Sequence, residues 1–284
     1  MRRAIIEFGY WCHYSLREDR PQSAVDLFSI LKHARWRLPL RQKYQSFVED
    51  KYGVEIGGPS ALFKTVLPLY QFVRGLDGVN FSTGTIWEGR IKTGENFNYY
   101  HNKRGRQFIA DATDLREIAT ARYDFLLSSN CLEHVANPIK ALVEWKRVIK
   151  PCGGLILVVP NKEKNFDHRR PVTKFEHLLD DFTYDVGEDD LTHLDEILAL
   201  HDLRMDWPAG DLKHFRERSL KNFQNRTLHH HVFDVQLIEK MLDHVGLEIL
   251  DMTTTRTDFF ALARKNPEAA SLLTQYAQDA VGSS

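Results

Sequence analysis

Two uninterrupted apolar runs, Phe125–Leu127 and Leu155–Val159, bracket a stretch in which Ile139, Leu142, Trp145 and Ile149 recur at helical spacing. The second run shows no alternation, the mark of a strand covered on both faces, so the three segments predict a βαβ unit of a parallel sheet. Local chemistry delimits the helix. Asn137 is placed to cap it, Pro138 fits the first turn where a missing N–H costs nothing, and Lys146, Arg147 and Lys150 suit its negative end. Pro151 and the Gly153-Gly154 pair end it.

The same reading extends to the rest of the chain. Tyr52–Ile56 predicts a strand that runs through Gly57-Gly58-Pro59-Ser60 into a helical stretch ending near Leu67. Phe72–Phe81 predicts a second strand, and Phe108–Ala110 a third. The polar, Gly-rich residues 83–106 between them read as an exposed connection with a partial helix. Asp234–Val245 reads as a helix, and Leu247–Arg264 as two final strands. Ser23–Trp36 has an amphipathic helical pattern, and Asn266–Ser284 looks like a frayed helix and tail. The expected fold is α/β, a doubly wound and mostly parallel sheet. In such a sheet, ligands bind at the carboxyl ends of the strands. Glu55, Gly57, Gly58, Asn80, Asp111, Ala112, Ser129 and Asn130 fall at those ends. The turn after the first strand is not a dinucleotide fingerprint, because Pro59 removes an N–H that a pyrophosphate would use.

Tyr123-Asp124, Ser129-Asn130, Leu132-Glu133-His134-Val135, Arg147-Val148-Ile149-Lys150-Pro151 and Gly153-Gly154 together resemble the fourth and fifth strands of class I S-adenosylmethionine (SAM)-dependent methyltransferases. The resemblance is greatest to the small-molecule, methyltransferase type 11-like subgroup. It implies a Rossmann-like seven-stranded sheet with an antiparallel last strand, and SAM as cofactor. Gly57 and Gly58 would let the backbone approach the cofactor, with Glu55 supplying negative charge near the sulfonium and ammonium. Asn80 would take the ribose position that the family usually gives to an acid, with Asp77 the competing assignment. Asp111 and Ala112 would meet the adenine, and Ser129 and Asn130 would complete the edge. Pro59 and Ala61 depart from the family's glycine pattern.

This reading divides the chain into a helical N-terminal extension (1–50), a methyltransferase domain (51–265) and a C-terminal tail (266–284). The domain is interrupted by an insertion at 162–231, long enough to serve as a lid. Eight of the 13 histidines lie in that insertion, which directs attention to proton transfer. His168, one of the run His229, His230 and His231, and, after the fourth strand, His134 are the candidate bases, with His230 and His231 put foremost in the run. Asp189, His193 and His201 lie at spacings that one helix face would present, but no metal ligand set is assigned.

With 38 basic and 39 acidic residues the chain lacks the basic field of a phosphate-binding protein, so no nucleic-acid partner is expected. Cys12, Cys131 and Cys152 form no CxxC pair and fit a reducing cytoplasm. No stretch has the apolar length of a membrane span, and the first residues lack a signal-peptide pattern. The expected function is O-methylation of a small polar molecule or sugar by a histidine base, with a homodimer left open. The alternatives are a non-catalytic SAM- or nucleoside-binding protein, and methylation of nitrogen in a small molecule, RNA or protein.

Overall fold

The computed structural model describes residues 41–267, so the expected helix at Ser23–Trp36, the tail and Cys12 lie outside the described residues. Strands β1 (Tyr52–Ile56), β2 (Gly75–Asn80), β3 (Gly94–Tyr100), β4 (Lys103–Ile109), β5 (Tyr123–Ser129), β6 (Ile149–Pro160), β7 (Leu247–Thr254) and β8 (Asp258–Lys265) form one sheet. Their order is β3-β4-β2-β1-β5-β6-β8-β7. The five inner strands β4, β2, β1, β5 and β6 run parallel, while β8, β7 and β3 are antiparallel to their neighbours. The chain order reverses between β1 and β5, and a ligand crevice belongs at such a point.

The βαβ unit forms as its pattern predicts, except that the helix ends at Val148: Ile149, Lys150, Pro151 and the Gly153-Gly154 pair belong to the strand that follows, which Ile149 enters in extended conformation. Helix α1 (Pro138–Val148) buries Ile139, Leu142 and Trp145, and Leu155–Val159 of β6 is buried on both faces. One apolar layer joins Leu126 and Leu155 to Trp145 of α1 and to Ile238 and Met241 of α5 (Val235–His244). The opposite layer packs Phe125, Leu127 and Ile156 against Tyr44 and Phe63, from a helix over 41–48 and a π-helical turn at Leu62–Val66. Asp77, buried within β2, accepts from Tyr52 Oη (2.7 Å), Tyr123 Oη (2.7 Å), Arg106 N (2.9 Å) and Arg122 Nη2 (3.1 Å), which ties four strands or their ends together.

The eighth strand is a departure from expectation. Where a partial helix is expected, the chain forms a β3–β4 hairpin, because Phe97 and Tyr99 alternate with exposed Asn96 and Asn98 and bury one side of an edge strand. Between β6 and α5 the insertion folds into α2 (Phe175–Thr183), α3 (Leu194–Leu200), α4 (Leu212–Ser219) and a single turn at Asn222–Asn225; α3 and α4 enclose Ile197, Ala209, Phe215 and Leu228, while α2 packs Leu178 into the core that holds α1.

Asn137 caps α1 by accepting from Lys140 N (3.1 Å) and donates its amide to Asp181 O of α2 (2.8 Å). Asn137→Ala removes the cap and a buried partner of α2, and is expected to lower the unfolding free energy by about 1–3 kcal/mol in urea titrations. Asn137→Ser, which restores only the cap, should recover part of that loss; no difference between the two variants would show that the cap contributes nothing, and full recovery in the serine variant would show that the bond to α2 contributes nothing.

Candidate active site

At the carboxyl edge of the sheet, between β1, β2, β4 and β5, lies a cavity of about 670 Å³. Gly57, Asn80, Ala112, Ser129, Asn130 and His134 line it, as does the backbone around Pro59. Gly57 has φ +79°, a left-handed conformation that disfavours any side chain, and a Cβ there would stand 2.9 Å from Cys131 Sγ. Asn80 donates Nδ2 to Gly58 O (2.8 Å), which fixes the turn and leaves Oδ1 as the acceptor it offers the cavity.

Three acids expected at this edge are already engaged by the protein. Glu55 lies beneath the turn rather than in the cavity wall, accepting from Tyr70 Oη (2.6 Å) and Ser60 N (3.1 Å). Gly58 likewise stays behind the wall, and its missing Cβ makes room for Glu55, whose Cδ would be 2.2 Å away. Asp77 is spent on the strands it joins. The Asp111 carboxylate accepts from Thr113 N (2.9 Å), Thr113 Oγ1 (2.8 Å) and Arg226 Nη2 (3.0 Å), so at this point of the edge the wall is formed by Ala110 and Ala112. Arg226 comes from the insertion and also pairs with Glu188 Oε2 (3.0 Å), while its guanidinium lies 5.1 Å from the Phe81 ring centre.

The candidate histidines separate. His134 lines the cavity with Nδ1 3.0 Å from Leu228 O, so that nitrogen carries the proton and Nε2 the lone pair. Burial, then neighbouring His229, holds its pKa well below the usual imidazole value. His168 turns away to Asp202 Oδ2 (3.2 Å), because the chain folds into a tight turn at 165–170. His230 is buried against Asn222 Nδ2 (2.9 Å), and His231 places Nε2 3.0 Å from Ala136 O. Neither lines the cavity.

Their neighbour His229 does. Its Nδ1 is 2.5 Å from Asp167 Oδ2, and its ring meets His134 (4.6 Å between centres) and Phe166 (4.7 Å). Burial opposes charge on both partners, yet their attraction prevails: Asp167 is held down to about 2 and His229 is raised. Glu133 also reaches the cavity, with Oε2 buried and unpartnered, and burial pushes its carboxyl up to about 7. The run of three histidines was the sequence signal for this wall; the signal for Glu133 was its place beside His134. Asp189, His193 and His201 do not converge, since His201 is turned to Asp206 (3.1 Å).

Residues 69–157 match a protein-family model described as a methyltransferase domain. That span runs from the approach to β2 nearly to the end of β6. Similar solved structures include a SAM-dependent methyltransferase from Aquifex aeolicus (12% identity, 84% of this chain and 98% of that one, TM-score 0.42). Another comes from Methanosarcina mazei (17%, 80% and 97%, 0.43). A third comes from Mesorhizobium loti (12%, 80% and 96%, 0.47). No curated protein matches the sequence. Among the described residues no helix is long and apolar enough to cross a membrane.

Burial raises Glu55 from 4.5 to about 7. Between those values the folded state binds more protons than the unfolded chain, so stability falls as pH rises through the window. Glu55→Gln keeps an acceptor without the charge. It should raise the melting temperature at pH 8 relative to the unmodified protein, by the equivalent of at most about 3 kcal/mol, and leave pH 4.5 little changed. Equal pH profiles for the two proteins would show that Glu55 is not the group being titrated.

Proposed function

We propose that this chain, a class I SAM-dependent methyltransferase by its domain match and its strand order, methylates an oxygen of a small polar acceptor such as a sugar, with His229 as the base. The observation that carries this reading is the Asp167–His229 pair at the cavity wall. Asp167 holds Nδ1–H and thereby turns the Nε2 lone pair outward as a proton acceptor. His134, held neutral with Nδ1 on Leu228 O, stands beside it.

The lining fits the cofactor. Gly57 allows close approach, Asn80 Oδ1 suits a ribose hydroxyl, and the backbone at Ala110–Ala112 with the Phe81 ring suits a flat base. When bound, SAM supplies a methyl group made electrophilic by its sulfonium. The chain's part is to align the acceptor, take its proton at His229 and keep water out. The insertion 162–231 acts as the lid, since Phe166, Arg226 and His229 reach the cavity from it. A carboxylate-backed imidazole favours an O–H acceptor over an amine, which is nucleophilic once neutral.

With a turnover assay established by screening small hydroxylated acceptors, His229→Ala should lower kcat by about 10²–10⁴-fold with SAM affinity nearly unchanged. His168→Ala, away from the wall, should leave turnover within a few-fold. Full activity in His229→Ala would remove the base assignment. SAM binding without turnover of any acceptor would favour the non-catalytic alternative.

A second outcome concerns the ribose position. Because Asn80 donates to Gly58 O, Asn80→Asp loses a bond that shapes the turn. Both Asn80→Asp and Asn80→Leu are therefore expected to weaken SAM binding, by about 1–3 kcal/mol in calorimetry. Tighter binding by the Asp variant would show that the donor is dispensable.

A further inference from the structure

We propose that the insertion contains a metal site for a divalent ion, zinc by the chemistry of its donors, formed by His177, His193 and His231 with Asp181 as fourth ligand. One donor nitrogen from each of the three histidines lies within 4.8 Å of the other two. His177 Nε2 is 2.9 Å from His193 Nε2 and 3.3 Å from Asp181 Oδ2. Tetrahedral zinc with bonds of about 2.0–2.1 Å spaces its ligand atoms about 3.3 Å apart, so these separations bracket what the ion requires. Imidazole and carboxylate donors in a compact four-residue set suit zinc better than calcium or magnesium, which take mostly oxygen.

Two unsatisfied atoms point independently to a missing ligand. Asp181 Oδ2 and His231 Nδ1 are both buried without a hydrogen-bond partner, and the His231 side chain is only 1% exposed. His231 Nε2 lies 3.0 Å from the Ala136 carbonyl and 3.5 Å from Asp181 Oδ2, while Nδ1 is a bare lone pair in the interior. A backbone carbonyl on one ring nitrogen is the usual support of an imidazole that binds metal through the other. A buried lone pair and a buried carboxylate oxygen are each costly if left alone, and one cation would satisfy both. His177, with a side chain 37% exposed, leaves the site an entry route.

The position of the four residues defines what the ion would do. His177 and Asp181 are four apart on α2, His193 is at the start of α3, and His231 is on the segment returning to the core. The ion would join three separate pieces of the insertion, and through Ala136 and Asn137 anchor them to the start of α1. With four protein donors the site is closed, a structural clasp rather than a catalytic centre. It lies apart from the cavity group of Glu133, His134 and His229, which also come within 4.8 Å of one another. The inference does not depend on the methyl acceptor or on the role of His229.

The test is metal content and thermal stability of the full chain. Protein purified without chelator, or stripped and then reloaded with zinc, should carry about one zinc per chain by elemental analysis. Cobalt loaded in its place should give the intense visible band of a tetrahedral site. His193→Ala and the more exposed His177→Ala should each lower zinc content at least tenfold, while His134→Ala keeps it. Chelation should lower the melting temperature of the unmodified protein, and zinc should restore it. Zinc absent from folded protein after reloading would overturn the proposal. So would zinc retained in both His177→Ala and His193→Ala, and zinc lost only from His134→Ala would move the ion to the cavity. Circular dichroism on each variant separates loss of metal from loss of fold.

Discussion

The guanidinium of Arg170, 1% exposed, is the contact on which the insertion and the cavity wall both depend. Nε donates to Glu196 Oε1 (2.8 Å), Nη1 to Asp167 Oδ1 (3.1 Å) and His229 O (2.8 Å), and Nη2 to His230 O (3.1 Å). A cation so buried is tolerated only when its charge is paired and its donors are used, and removing one partner of such a pair typically costs about 3–5 kcal/mol. Its acceptors come from the turn after β6, from α3 and from the segment that returns to α5. Arg170 thus fixes where that segment passes. Asp167 uses its other oxygen on His229 Nδ1, so one carboxylate neutralises the arginine and orients the imidazole at the cavity.

This sharing of carboxylates explains which strand-end residues face a ligand. An acid at the end of a parallel strand is close to loop N–H groups and hydroxyls as well as to the crevice, and in a buried setting the protein's own donors compete for it. Glu55 is taken by Ser60 and Tyr70, Asp77 by two tyrosines and two arginine residues, and Asp111 by Thr113 and Arg226. What remains for the cavity is Asn80, Ser129 at the end of β5 with Asn130 beyond it, the imidazoles of His134 and His229, and the carboxyls of Glu88 and Glu133, both of which burial pushes up.

The parts of the fold legible in the sequence were those with a strong period or a strong cap. Asn137, Pro138 and the Ile139–Leu142–Trp145 spacing define α1, and the unbroken Leu155–Val159 run defines a covered strand. The β3–β4 hairpin escaped because only Phe97 and Tyr99 carry its alternation, amid polar residues that an edge strand can leave in water. At the cavity, strand order puts the right segments at one edge, but the direction of a side chain outside regular structure is set by long-range partners. The run His229-His230-His231 shows the difficulty. Three adjacent rings go to Asp167, Asn222 and Ala136, in three surroundings that no local pattern distinguishes.

The apolar cluster of the insertion's α3 and α4, Ile197, Ala209, Phe215 and Leu228 with a few partly buried neighbours, is small. Hydrophobic burial at about 25 cal/mol per Å² therefore leaves much of its ordering cost to other contacts. Contacts of two kinds join the insertion to the core: α2 packs Leu178 and Phe175 into the layer that holds α1 and α5, and Arg226 to Asp111, Asn137 to Asp181 O, and His134 to Leu228 O add polar links. Polar contacts are directional, so they hold one register of the insertion against the core where apolar packing alone would tolerate several. Two of these contacts, at Arg226 and His134, lie on the cavity wall itself. Any ligand that competes for Asp111 or displaces the Leu228 segment must therefore loosen the insertion at the place where it meets the sheet.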